Sequence, residues 1–176
     1  MLLKQKYRLA MFCLAVFAIS SSAFVHPLTR GLGILTNTAL SVDIRAINSK
    51  NPGKWISEGI QYENFPLMNG APSLSGVYYY PQKALWDMLP PKKPQIYNRY
   101  AHVVFDINHG TRTEYRTELK HLQQDVFVVR TEPCSSFLKN HDVKFILAQS
   151  PISNECLSLV QQVNYPNQAF FIYQIL

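Results

Sequence analysis

Residues 125–175 read DVFVVRTEPCSSFLKNHDVKFILAQSPISNECLSLVQQVNYPNQAFFIYQI, and the order of element signals along them decides the fold class. DVFVVR, Asp125 to Arg130, is a strand of β-branched and aromatic residues. Pro133 to Asn140 predicts a short helix, with Thr131 or Glu132 near its cap. VKFILA, Val143 to Ala148, predicts a strand with a nearly continuous apolar face. Asn154 to Val163 predicts a second helix, because Cys156, Leu157, Val160 and Val163 recur at three- to four-residue spacing. AFFIYQI, Ala169 to Ile175, is the last strand. Strand–helix–strand–helix–strand predicts an α/β fold: a single small domain with a mixed sheet and a β-α-β-α-β C-terminal half, some of its strands joined by crossovers.

Upstream the signals are shorter. Tyr100 to Ile107 (YAHVVFDI) predicts a strand ended by a turn at Asn108-His109-Gly110. Glu114 to Leu119 is a partner strand, polar enough to be at an edge or half exposed. Between Pro66 and Pro94 lie Val77-Tyr78-Tyr79-Tyr80 and a helical turn, Gln82 to Leu89, entered at Pro81 and stopped by Pro90-Pro91. Ile56 to Phe65 predicts a short extended piece, and Ala39 to Ile47 either a strand or a short helix. The domain core is thus expected over residues 69–176, with an irregular linker and the first short strands over 30–68.

The chain begins differently. Lys4, Lys6 and Arg8 precede 21 residues, Leu9 to Thr29, that hold no charged side chain. A basic start followed by an apolar stretch leads a chain into a membrane with its cations retained in the cytoplasm. The apolar core, Leu9 to Ile19, has the length of a signal-peptide h-region, and Ser21 and Ala23 stand at the −3 and −1 positions of a cleavage site. Phe24, Val25 and Leu28 extend the hydrophobicity toward the ~20 residues of a spanning helix. Residues 1–29 therefore predict either a signal peptide cut after Ala23 or a single transmembrane anchor. Both place the remainder outside: periplasmic or secreted if cut, on the outer face of the cytoplasmic membrane if not.

Composition narrows the function. A chain that is 47% hydrophobic and 16% charged folds, and removal of 23 residues would leave 153, enough for one core. The formal charge of +6 falls to +3 once the three leading cations are set aside. No basic run forms a nucleic-acid stripe, since Lys92-Lys93 is only a pair between prolines. Beyond Cys13, two cysteines remain, Cys134 and Cys156; in an oxidising compartment they either pair, at about 3 kcal/mol of stabilisation from loop closure, or stay as buried thiols.

Candidate chemistry is sparse. His102 and Asp106 share one face of a strand, with His109 past the turn, but the spacing fits no zinc pattern and lacks a third firm ligand. Gly31-x-Gly33 follows no strand and is not a dinucleotide loop, so neither metal nor cofactor is expected. No serine lies in a G-x-S-x-G elbow. The aromatic cluster Tyr78, Tyr79, Tyr80, Trp86, Tyr97 and Tyr100, with Arg99, is the candidate binding surface, since faces bearing hydroxyls stack on sugar rings. The same residues equally fill cores, where aromatics bury large areas.

NGAPSLSGVYYYPQKALWDMLPP (Asn69 to Pro91) followed by YNRYAHVVFDI (Tyr97 to Ile107) resembles the extracytoplasmic C-terminal domain of bacterial multi-pass membrane proteins of the GT-C glycosyltransferase-like kind, which are thought to act on lipid-linked sugars. The resemblance runs over residues 40–176, through Asp125-Val126-Phe127, Val143 to Leu147 and Ile172 to Ile175. In such proteins catalysis would reside in the membrane helices and in an acidic loop that this chain lacks. The resemblance therefore implies a non-catalytic extracytoplasmic accessory domain of envelope-glycan transfer or export, with a truncated or split membrane protein as one form of that reading. Its implied partners are the membrane through the N-terminal helix, a multi-pass membrane protein and a glycan. The alternative is a small periplasmic hydrolase or transferase using His102 and Asp106.

Overall fold

The computed structural model describes residues 2–25, 33–80, 82–87, 89, 101–109 and 117–176. They fall into two units, Met1–Leu35 and Thr36–Leu176. The first holds helix α1 (Leu2–Val25) and most of the single turn α2 (Gly33–Thr36). Helix α1 carries an exposed apolar surface that includes Leu9, Phe12, Phe17 and Ile19. Among the described residues no helix is long and apolar enough to cross a membrane, which corrects the transmembrane expectation for residues 1–29. The physical reason lies in the sequence: the uninterrupted apolar core is eleven residues, about half a bilayer's requirement, and Ser20 to Ser22 end it.

The second unit opens with α3 (Ala39–Lys50) and β1 (Lys54–Ser57). Then come α4 (Phe65–Met68), β2 (Gly76–Tyr78), α5 (Lys83–Asp87) and β3 (Ala101–Ile107). β4 (Glu118–Gln123), β5 (Val126–Thr131), α6 (Ser136–Asn140), β6 (Val143–Ala148), β7 (Leu157–Tyr165) and β8 (Gln168–Ile175) complete it. Helix rather than strand forms over residues 39–50 because Thr38 caps it, its hydroxyl accepting from Ser41 N. Ser135, not Thr131 or Glu132, caps α6. Of the strand expected over Glu114 to Leu119, residues 114–116 lie outside the described residues and β4 includes Glu118 and Leu119; extended structure after residue 56 ends at Ser57.

The strands form two mixed sheets rather than one. The first has the order β1-β6-β8-β7, with β1 parallel to β6 and the remaining neighbours antiparallel. The second has the order β2-β3-β5-β4, with β3 parallel to β5. An isolated parallel bridge from Glu58, just past β1, to Phe105 of β3 joins them, and a second ties Trp55 to Ser73 ahead of β2. The β-α-β-α-β expectation fails in two places. α6 carries the chain from one sheet to the other, and residues 157–165 form the edge strand of a hairpin, turning back at Pro166-Asn167 into β8.

A bulge explains why that strand reads as a helix. The register of β7 on β8 shifts between Leu159 and Gln161, which inverts the alternation of faces midway. Leu157 therefore packs toward one core and Val163 toward the other, leaving an apolar spacing that imitates a helical stripe.

The central strands β6 and β8 of the first sheet are buried on both faces. Ile56, Ile146, Ala148, Phe171 and Tyr173 meet Val103, Phe105, Phe127 and Val129 of the second sheet in the larger core, which α5 and α6 close with Leu85, Trp86, Phe137 and Leu138. On the reverse face Trp55, Phe145, Leu147 and Ile172 pack under Leu40 and Ile44 of α3. Cys134, before α6, and Cys156, before β7, form a disulfide between these two sequence regions.

Candidate functional site

The other face of the second sheet mixes polar and apolar side chains. His102, Asp106 and Arg130 stand there, each half-buried, with the Val104 and Val128 pair between His102 and the Asp106–Arg130 pair. His102 Nδ1 lies 2.8 Å from Oε1 of Glu63, a carboxylate 4% exposed whose second oxygen finds no partner among the described residues. The opposite ring nitrogen is 4.0 Å from Asp125. Asp106 is held differently: Arg130 Nε donates to it at 2.7 Å, and the same guanidinium reaches Glu118 at 3.7 Å. The strand puts His102 and Asp106 on one face, as the spacing implies, and the structure engages them in separate ion pairs.

Only part of the aromatic cluster forms a surface. Tyr79 and Tyr80 are 80% and 81% exposed. Tyr78 is half-buried, its hydroxyl donates to Ser73 O, and burial pushes that phenol up to about 12. Trp86 is buried against Phe127 with ring centres 5.2 Å apart. Tyr97, Arg99 and Tyr100 lie outside the described residues. The aromatic band is therefore divided between core and solvent.

A different aromatic group lines a cavity of about 250 Å³ at the start of α3 and the turn end of the β7–β8 hairpin. Tyr62, Phe65, Tyr165 and Phe170 form its walls, with Gln168 and Thr38 at its polar points. Tyr62 stands edge-on to Phe170 at 4.8 Å, and Tyr165 edge-on to the same ring at 5.9 Å. Hydrogen bonds set both tyrosines: Tyr62 OH donates to Gln168 Oε1 at 2.8 Å, and Leu40 N donates to Tyr165 OH at 3.2 Å. Sequence reading missed this site because its walls come from residues 62–65 and 165–170, a hundred positions apart. The one available signal was the YPNQ turn, which brings Tyr165 beside Gln168.

A third group gathers past the ends of three strands. Glu58 follows β1, His109 follows β3 and Ser150 follows β6. His109 Nε2 contacts Glu58 Oε1 at 2.5 Å, and its Nδ1 lies 3.2 Å from Ser150 Oγ. Gly59, at φ +82°, turns the chain immediately after Glu58 and donates to Phe105 O, which fixes the acid beside β3. Burial raises the Glu58 carboxyl above its ordinary range by more than the His109 hydrogen bond and charge lower it. Among the described residues no group of three or more His, Cys, Asp or Glu side chains is placed to hold a metal ion.

Comparison with known proteins gives a family without a characterised activity. No curated protein and no solved structure matches the chain. A family model described as a domain of unknown function, DUF7654, matches residues 34–176, which include the whole of the second unit. By that match the chain belongs to the DUF7654 family.

Proposed function

We propose that the protein is an extracytoplasmic accessory domain of envelope-glycan machinery, which recognises a lipid-linked sugar while the transfer chemistry belongs to a multi-pass membrane partner. The observation that carries the reading is the cavity walled by Tyr62, Phe65, Tyr165 and Phe170. Apolar aromatic walls with a few placed hydroxyl and amide groups are what a sugar ring requires, since its C–H faces stack and its hydroxyls need partners. At about 250 Å³ the cavity lies just below the usual range for ligand sites, roughly 300–1,000 Å³, and so suits one ring rather than a long oligosaccharide.

Two further features support the location. The Cys134–Cys156 disulfide is stable in an oxidising compartment and is not expected in a reducing cytoplasm. Residues 1–23 have the basic start, the eleven-residue apolar core and the small residues of an export signal cut after Ala23. The alternative, hydrolysis or transfer by His102 and Asp106, draws less support, because the two side chains serve different ion pairs.

The test is titration of the full chain with free hexoses and N-acetylhexosamines, followed by NMR of the aromatic side chains. At least one sugar should shift the Tyr62, Tyr165 and Phe170 resonances, and Phe65→Ala should weaken that binding about tenfold or more. Absence of any shift at tens of millimolar sugar would reject the reading.

A further inference from the structure

We propose that Ser150 is a nucleophile, activated by His109 and oriented through Glu58, that cleaves carboxylic esters. β1 and β6 are parallel, and the bridge between Glu58 and Phe105 aligns β1 with β3 in the same sense. The three strands therefore deliver Glu58, His109 and Ser150 to one edge of the domain, the edge past the carboxyl ends of parallel strands where open α/β sheets commonly collect ligands. Nothing in the local sequence around Ser150 marks it, since the group is assembled by topology alone.

The exposures form a gradient. Glu58 and His109 have side chains 17% and 30% exposed, while Ser150 is exposed. A purely structural brace has no need of a hydroxyl at its open end, whereas a nucleophile must be reached by substrate. With Glu58 ionised and so only able to accept, His109 Nε2–H is assigned as the donor, which leaves Nδ1 to accept the Ser150 hydroxyl proton. The imidazole is used in the opposite sense to the serine-protease triad, in which Nδ1 faces the acid, and the roles carry over unchanged.

Two glutamines tie this group to the aromatic cavity. Gln168, on the cavity wall, donates through Nε2 to Gln149 Oε1 at 3.1 Å. Gln149, the residue before Ser150, donates in turn to Glu58 O at 3.3 Å. A ring held in the cavity thus sits one hydrogen-bonded step from the residues that flank the nucleophile.

In the reaction Ser150 Oγ attacks the ester carbonyl carbon while its proton passes to His109 Nδ1. The carbon–alkoxy bond breaks, and the alcohol leaves with that proton, giving acyl-Ser150. Water then adds to the acyl carbon, losing a proton to His109. The carbon–Oγ bond breaks, Ser150 recovers the proton and a carboxylic acid departs.

The experiment is labelling of the full chain, disulfide intact, with an alkyl fluorophosphonate, mapped by peptide mass spectrometry. One adduct on Ser150 is expected, absent in Ser150→Ala at an unchanged melting temperature and slowed about 10- to 100-fold in Glu58→Gln. No adduct, an adduct elsewhere that survives Ser150→Ala, or equal labelling of heat-unfolded protein would overturn the nucleophile. Undiminished labelling of Glu58→Gln would overturn the relay. None of these readouts involves a sugar, so the outcome is independent of the recognition function proposed above.

Discussion

The two sheets differ in what covers them more than in what they are made of. β6 and β8 at the centre of the first sheet are buried on both faces, between α3 and the second sheet. β3 and β5 of the second bury one face and turn His102, Asp106 and Arg130 out on the other. Burial on two faces demands a nearly continuous apolar run, which VKFILA and AFFIYQI supply; Lys144 stands at the exposed position of the first, and Tyr173 is buried in the second with its hydroxyl accepting from Ile152 N. Burial on one face leaves every second position free for polar work. The His102, Asp106 and Arg130 side chains accordingly sit on the outer face of the second sheet, and Glu58, His109 and Ser150 past the strand ends.

The sharpest way to break that comparison is to hollow out the doubly buried sheet. Phe145 is 1% exposed and stacks on Trp55 with ring centres 4.6 Å apart. Phe145→Ala should cost about 3–5 kcal/mol in urea denaturation, and a loss under 1 would mean that this face is not a packed core. Next in size is the covalent link: replacing Cys134 and Cys156 by serine should cost about 3 kcal/mol, seen equally as a drop in melting temperature on adding reductant to the native protein. A wild-type protein indifferent to reductant would place no stability in the bridge.

Smaller effects belong to the second sheet. Asp106→Asn removes a pair whose partners are 43% and 34% exposed, and should cost less than about 1 kcal/mol by the same measurement. A larger cost would show that the outer face is more buried than this comparison holds. The smallest effect is one of slope. Because burial holds the Glu58 carboxyl above its ordinary 4.5, the native state keeps that proton more tightly than the unfolded chain does. Its contribution to stability is complete below 4.5 and is lost as pH rises through the raised native value. Glu58→Gln should flatten that fall in denaturation curves taken between pH 3.5 and 7, and identical slopes would remove the assignment.

The strands of deepest burial were legible because their composition leaves no alternative: Val143 to Ala148 was bounded correctly, and Val126 to Thr131 and Ala101 to Ile107 within a residue. The disulfide was legible as one of two outcomes, decided by placement. The strand at Leu157 was not, since an exposed edge tolerates polar residues and its bulge removes the period that reveals a strand. The partition into two sheets was hidden as well, because crossovers look alike in sequence whether or not they return to the sheet they left. Of the candidate residues, His102 and Asp106 were placed on their common face by the strand period. Glu63, Glu58 and Ser150 were invisible, since their partners lie 39, 51 and 41 positions away.

The pairing of β1 with β6 has a kinetic consequence. Lys54 meets Val143 across 89 steps of chain, so β1, at the end of its sheet, cannot be seated until most of the domain has been made. Contacts of such sequence separation close late and slow the folding of a small domain. During synthesis from the N-terminus, the half made first therefore holds β1 without its neighbour until β6 is made.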